Sequence, residues 1–145
     1  MQNGTRLAAV DLGSNSYRLE IGRIDNGLIR PTEYLKETVR QGNGLDADRN
    51  LTPQAMQRGW DCLARFGERL AGFKKNQVRA VATQTLREAR NRDVFLTRAH
   101  ELLGFPIDVI AGREEARLIY QGVARLLPQS PERRLVVDIG GRTTE

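Results

Sequence analysis

Val10-Asp11-Leu12-Gly13-Ser14-Asn15-Ser16 joins two strand-like stretches, and a near-repeat, Val137-Asp138-Ile139-Gly140-Gly141, stands at the other end of the chain. In each, an apolar run ends in an aspartate, one more apolar residue and a glycine. Before the first turn runs Leu7 to Val10. After it, Tyr17, Leu19 and Ile21 alternate with polar residues, the period of a half-buried strand. Asp25-Asn26-Gly27 then supplies a hairpin, because Asn and Gly tolerate positive φ, and a third strand is expected from Leu28 to about Val39. Three antiparallel strands therefore open the fold.

Helices and strands alternate from there on. Thr52 before Pro53 marks a helix start, the hydroxyl capping free amides and the proline needing no N–H at that position. Met56, Trp60, Leu63, Gly67 and Leu70 follow at helical spacing, with Gly72 as a stop. Val78 to Ala82 reads as a short buried strand. A helix from about Asn91 to Leu103 is expected to bury Phe95, Ala99 and Leu102 and to end at Gly104, ahead of Pro106. Ile107 to Ile110 reads as another strand. The next helix, from near Gly112 to Pro128, carries Ala116, Ile119, Tyr120, Val123 and Leu127 on one face. Leu135 to Val137 reads as a last strand running into Asp138. The expected class is α/β, a mixed five-stranded sheet with flanking helices. The repeated loop suggests duplicated lobes. Residues 1–128 would form the first lobe, and residues 129–145 the link, first strand and phosphate loop of a second whose remainder is expected beyond Glu145. Such a piece should fold but, lacking the second wall of its cleft, should be inactive alone.

The composition fits a packed domain: 39% hydrophobic and 28% charged residues place the chain in the globular range. Cys62 is the only cysteine, so no internal disulfide can form, and it reads as a small packing residue. With no charged-then-apolar leader and no apolar run of membrane length, a cytoplasmic location without membrane association is expected. The net charge of +5 points to an anionic partner. Basic residues are spread along the chain and aromatics are only 6%, which disfavours nucleic acid, since single strands need stacking platforms.

The loop Asp11 to Ser16 has two chemical readings. Gly13 permits a tight turn that exposes amides beside the hydroxyls of Ser14 and Ser16 and the carboxamide of Asn15, a place for phosphate oxygens, while Asp11 can hold a hydrated divalent cation. Alternatively, the loop is a hairpin turn whose polar side chains cap themselves. A second loop, Asp138 to Glu145, repeats the design with Gly140, Gly141, Thr143 and Thr144, and two facing loops can clamp a phosphate chain and its metal from both sides. The pair Glu114-Glu115 is also open to two readings. On a helix the apolar stripe lies about 100° from Glu115 and about 160° from Glu114, so Glu115 borders the packed face, yet both acids also suit the positive end of a helix.

These loops, together with Gly42-Asn43-Gly44-Leu45, the run Val81 to Asn91 and Gly112-Arg113-Glu114-Glu115-Ala116-Arg117-Leu118-Ile119, resemble the exopolyphosphatase/guanosine pentaphosphate phosphohydrolase (Ppx/GppA) family of the actin-like, sugar kinase and Hsp70 superfamily. The resemblance covers essentially the whole chain; the Arg87 and Glu114-Glu115 blocks are the family-specific part. It implies a ribonuclease H-like lobe and hydrolysis of the terminal phosphoryl group of polyphosphate or guanosine pentaphosphate, with Mg2+ or another divalent cation in a cleft between two such lobes. By position, Glu115 matches the family's catalytic base. Ser14, Asn15, Ser16, Arg87, Gly140, Gly141 and Thr143 fall on phosphate-binding positions, and Asp11, Asp138 and Glu145 on acidic positions associated with metal or the attacking water.

One stretch departs from the family pattern. The second loop usually reads Asp-Ile-Gly-Gly-Gly-Ser-Thr-Glu, and here Arg142 and Thr143 replace the third glycine and the serine. Thr143 keeps a hydroxyl, whereas Arg142 either crowds the site or adds a cation to it. Two rival functions stay open: a non-catalytic sensor of polyphosphate or an alarmone, for which Arg142 is the hint, and an ATP-dependent kinase of the same superfamily, which would share both loops. Substrate preference and oligomeric state, a homodimer among the options, are not encoded in these residues.

Overall fold

Leu12 and Tyr17 face each other across the first turn, and that pairing sets the register of the sheet. The structure, a computed structural model, describes residues 1–145. Strand β1 (Arg6–Leu12) pairs antiparallel with β2 (Ser16–Asp25), which pairs antiparallel with β3 (Leu28–Thr38). Asn26 at φ 49° and Gly27 at φ 79° make the expected hairpin between β2 and β3. On its other side β1 pairs parallel with β4 (Val78–Ala82), and β4 pairs parallel with β5 (Ile107–Val109). The strand order is β3-β2-β1-β4-β5, the mixed five-stranded sheet with flanking helices that was expected.

One face of this sheet makes the core. Val10 and Leu12 of β1 and Tyr17, Leu19 and Ile21 of β2 are at most 2% exposed, the period-two pattern of strands covered on one side. Helices α1 (Pro53–Arg69) and α3 (Arg92–Leu103) cover them with Leu63, Phe66, Phe95, Ala99 and Leu103. Each large side chain so buried contributes about 1.5–3 kcal/mol. The Thr52 hydroxyl caps α1 by accepting from the Ala55 amide at 3.2 Å. Gly104, at φ 86°, ends α3 as expected. The two helices touch closely because α1 offers glycines: a Cβ on Gly67 would overlap the Leu102 carbonyl, and one on Gly59 would stand 2.8 Å from the Phe95 ring. Cys62 is buried in this layer, the packing role expected of it.

Four features differ from the sequence reading. A short helix, α2 (Gln84–Glu88), and a 3-10 turn at Gln41–Gly44 were not anticipated, each being too brief to leave a periodic pattern. Helix α4 (Gly112–Leu126) forms, but no residue of its apolar stripe is fully buried, and Tyr120 stays 47% exposed, because no second layer packs over it. Leu135 to Val137 does not form a strand. Without a neighbouring strand to complete a ladder, the only pairing in this region is a bridge between Ile139 and Thr144, with Asp138 and Glu145 exchanging backbone hydrogen bonds of 2.9 and 3.0 Å. No helix is long and apolar enough to cross a membrane.

Candidate active site

Parallel pairing of β1, β4 and β5 brings their carboxyl ends to one edge, the place where open α/β sheets gather ligand groups. The backbone stitches that edge together: the Thr83 amide donates to Leu12 O at 3.4 Å and the Ile110 amide to Ala82 O at 3.0 Å. Three segments therefore meet: the turn after β1, the Thr83-Gln84-Thr85 entry to α2, and the start of α4.

The first turn is held from several sides. Gly13 donates to Ser16 O at 3.1 Å, and a Cβ on Gly13 would lie 2.9 Å from that same oxygen. Thr85 Oγ1 donates to Ser14 Oγ at 2.7 Å, and Ser14 Oγ donates to Gln84 Oε1 at 3.2 Å. Asn15 O accepts the amides of Val39 and Arg40 at 3.0 and 2.8 Å. The hydroxyls are thus only partly self-satisfied. The amides of Ser14 and Asn15 donate to nothing in the chain, and Ser16 Oγ is buried without a partner. Orphaned donors of this kind aimed into a polar hollow are what an anion requires.

The second loop stands opposite. A Cβ on Gly141 would lie 3.4 Å from Asn15 Cβ and 3.9 Å from the Asn15 amide, so the two loops nearly touch at that point. Between them lies a cleft of ≈ 260 Å³, lined almost wholly by polar groups. Asp11, Ser14, Asn15 and Ser16 form one wall, Asp138, Gly140, Gly141 and Thr143 the other, and Glu115 reaches in from the first turn of α4. A larger hollow of ≈ 500 Å³ at the end of α4, beside Tyr120 and Gln129, gathers no comparable set of groups.

Glu115 is the pivot of the acidic side. Carboxylate oxygens of Glu115, Asp138 and Glu145 lie within 4.8 Å of one another. Burial pushes the Glu115 carboxyl above its usual range, a hydrogen bond from Arg87 opposes this, and the charges of Glu145 and Asp11 add to the rise. Asp11 is likewise raised by burial, partly offset by Arg18 and reinforced by Asp138. Glu114 points away and is clasped by Arg117 through two hydrogen bonds of 2.7 and 2.8 Å.

Of the residues expected from the sequence, Asp11, Ser14, Asn15, Ser16, Glu115, Asp138, Gly140, Gly141 and Thr143 share the cleft. Glu145 joins through the acidic trio, in which Glu115 and not Asp11 completes the set with Asp138. Arg87 stands behind Glu115 and does not line the cleft; its Nη1 donates to Glu115 Oε2 at 3.0 Å and to Ile110 O at 2.7 Å. Sequence reasoning missed Arg18, Thr83 and Gln84. Arg18 had a legible signal, since the turn that pairs Leu12 with Tyr17 necessarily pairs Asp11 with Arg18. Thr83 and Gln84 stood within the run Val81 to Asn91 that carries the family resemblance, of which only Arg87 was singled out.

The chain as a whole matches known proteins both by sequence and by fold. Residues 20–145 match the profile of the Ppx/GppA phosphatase family. The chain is similar to the solved structure of the Aquifex aeolicus PPX-GPPA enzyme, with 32% identity and a TM-score of 0.84 over 97% of this chain and 46% of that one. It is similar also to an exopolyphosphatase from Cytophaga hutchinsonii, with 31% identity and a TM-score of 0.86 over 94% of this chain and 44% of that one. An exopolyphosphatase-like protein matches at 30% identity with a TM-score of 0.87 over 99% of this chain. The chain spans less than half the length of these relatives, 46% of the Aquifex aeolicus enzyme and 44% of each of the other two. Matched over most of its residues by sequence and by fold, the chain belongs to the Ppx/GppA phosphatase family.

Proposed function

We propose that this chain carries the first lobe and a second-lobe phosphate loop of an enzyme that hydrolyses a terminal phosphoanhydride bond of inorganic polyphosphate or guanosine pentaphosphate in the cytoplasm. The observation that supports it most is the convergence of Glu115, Asp138 and Glu145 opposite the unpaired amides of Ser14 and Asn15. Carboxylates at one end and anion donors at the other suit a phosphate chain whose terminal group meets water at the acidic end.

In this reading the amides and hydroxyls of the two loops hold the terminal phosphoryl oxygens in line with an attacking water, and placement is most of the catalysis in phosphoryl transfer. Glu115 orients that water and accepts its proton as the bond to phosphorus forms. Arg87 keeps the Glu115 carboxylate ionised and aimed, since a hydrogen bond to the charged form favours it. The donor set fits a divalent cation: hard carboxylate oxygens within reach of one centre are what Mg2+ takes. Asp138 and Glu145 would hold it, with Asp11, which lines the same cleft, as a further candidate. When bound, the ion neutralises phosphate charge and lowers the pKa of nearby water.

The test is phosphate release by the intact protein from polyphosphate and from guanosine pentaphosphate, with and without a chelator. Chelator-sensitive release from either supports the reading. Binding without release makes the protein a sensor instead, and neither binding nor release refutes the reading altogether.

A further inference from the structure

Beside the cleft, and continuous with it through Ser14, Asn15, Gly141 and Arg142, lies a smaller hollow of ≈ 90 Å³ that Arg40 and Asn43 complete. No carboxylate and no apolar side chain lines it. Its character is opposite to that of the far end of the cleft, where Asp11, Glu115 and Asp138 gather. The volume is several times what a single water needs, so the hollow can admit a small anion such as a phosphoryl group.

Both arginines are placed by backbone devices and not by acids. Arg40 sits at φ 52°, a left-handed conformation that side-chain-bearing residues seldom adopt. It is held there by its amide, which donates to Asn15 O at 2.8 Å, and by Arg58, which donates to its carbonyl at 3.3 Å. Arg40 forms no ion pair. Arg142 lies flat on Gly42: its Nη1 donates to Gly42 O at 2.9 Å, and a Cβ on Gly42 would stand 2.7 Å from Arg142 Cδ. The nearest acid, Glu88, is 3.9 Å from Arg142 Nη2, beyond hydrogen-bond range. A guanidinium has five N–H donors, and only one of Arg142's is spent on the chain.

We propose that Arg40, Asn43 and Arg142 form a second anion subsite that takes a phosphoryl group further along the same chain. The terminal group then lies between the loops and its neighbours cross Asn15 into the basic hollow. The inference rests on the reading of the cleft as a phosphoanhydride site and adds to it a contact with a phosphoryl group beyond the terminal one. Arg142 thereby becomes a cation that recognises chain length.

The test is calorimetric binding of orthophosphate and tripolyphosphate to the intact protein carrying Glu115→Gln to stop turnover, alone and with Arg142→Gln or Arg40→Gln added. Tripolyphosphate is expected to bind at least about tenfold more tightly than orthophosphate, the scale of one charge-assisted contact. Each arginine substitution should weaken tripolyphosphate about tenfold and leave orthophosphate within about twofold. Arg142→Lys, which keeps the charge, should restore part of the loss and guards against misfolding. Parallel losses for both anions, or no loss for either, overturn the subsite. Phosphate release by the unsubstituted protein reports separately on the cleft, so a failed subsite with intact release leaves the proposed function standing. An absence of both release and binding removes the two together.

Discussion

Arg87 grips Glu115 from behind: its Nη1 lies 3.0 Å from Glu115 Oε2 and at the same time donates to the Ile110 carbonyl at 2.7 Å. The guanidinium is thereby fixed to the end of the sheet, and Glu115 is fixed to the guanidinium. With side-chain exposures of 23% and 15%, the pair is shielded enough for the contact to matter, unlike an ion pair in open water. Its consequence is a carboxylate whose position is set by two elements, the start of α4 and the segment after β4.

Glu115→Gln keeps the shape of that side chain and removes the proton acceptor. Turnover of polyphosphate or guanosine pentaphosphate should fall by at least about a hundredfold, the lower end of general-base contributions, while substrate binding holds or tightens. Glu114→Gln is the control, since Glu114 faces outward onto Arg117. Steady-state kinetics on both variants decide the matter. Small, equal losses would return the two acids to the role of helix-end charges, and a loss confined to affinity would make Glu115 a metal ligand.

The pH profile follows from the same contact. A base works only when ionised, and burial with neighbouring acids raises the Glu115 pKa against the lowering contribution of Arg87. The acid limb of kcat/KM should therefore lie above the ordinary glutamate value of about 4.3, with activity lost as pH falls through it. Arg87→Gln removes the opposing contact, so the limb should move further up. A limb that stays put, or moves down, would show that another group sets it.

Metal dependence should report on the trio. If Asp138 and Glu145 hold the divalent cation, Asp138→Asn should raise the Mg2+ concentration needed for half-maximal rate by about tenfold or more, the scale of one charge-assisted contact. Saturating metal should recover much of the rate. An unchanged metal requirement, with only kcat reduced, would remove Asp138 from the ligand set.

Much of this was legible in the sequence because the signals are local. The Asn26-Gly27 hairpin, the Thr52 cap and the Gly104 stop each depend on a few neighbouring residues, and each is in place. The tight turn after Leu12 even carried the Asp11 and Arg18 pairing, though only for a reader who counts the register. What was not legible is long-range. The stripe on α4 predicts burial only if something packs on it, and Leu135 to Val137 is a strand only if another strand pairs with it. The reach of Arg142 to Gly42 O joins positions far apart in the chain, and no local pattern announces it.

The closeness of α1 and α3 yields a prediction independent of function. Gly67 leaves no room for a methyl group, because a Cβ there would overlap the Leu102 backbone oxygen, and a carbonyl in a helix cannot swing aside as a side-chain tip can. Gly67→Ala should therefore destabilise the protein by about 1–3 kcal/mol, even though alanine is the better helix former. Gly122, in the exposed middle of α4, meets nothing within 4 Å. There Gly122→Ala should gain up to about 1 kcal/mol from helix propensity alone. Urea unfolding midpoints of the two variants should move in opposite directions. If both rise, the contact between α1 and α3 is looser than this packing requires, and the two helices would have to sit further apart.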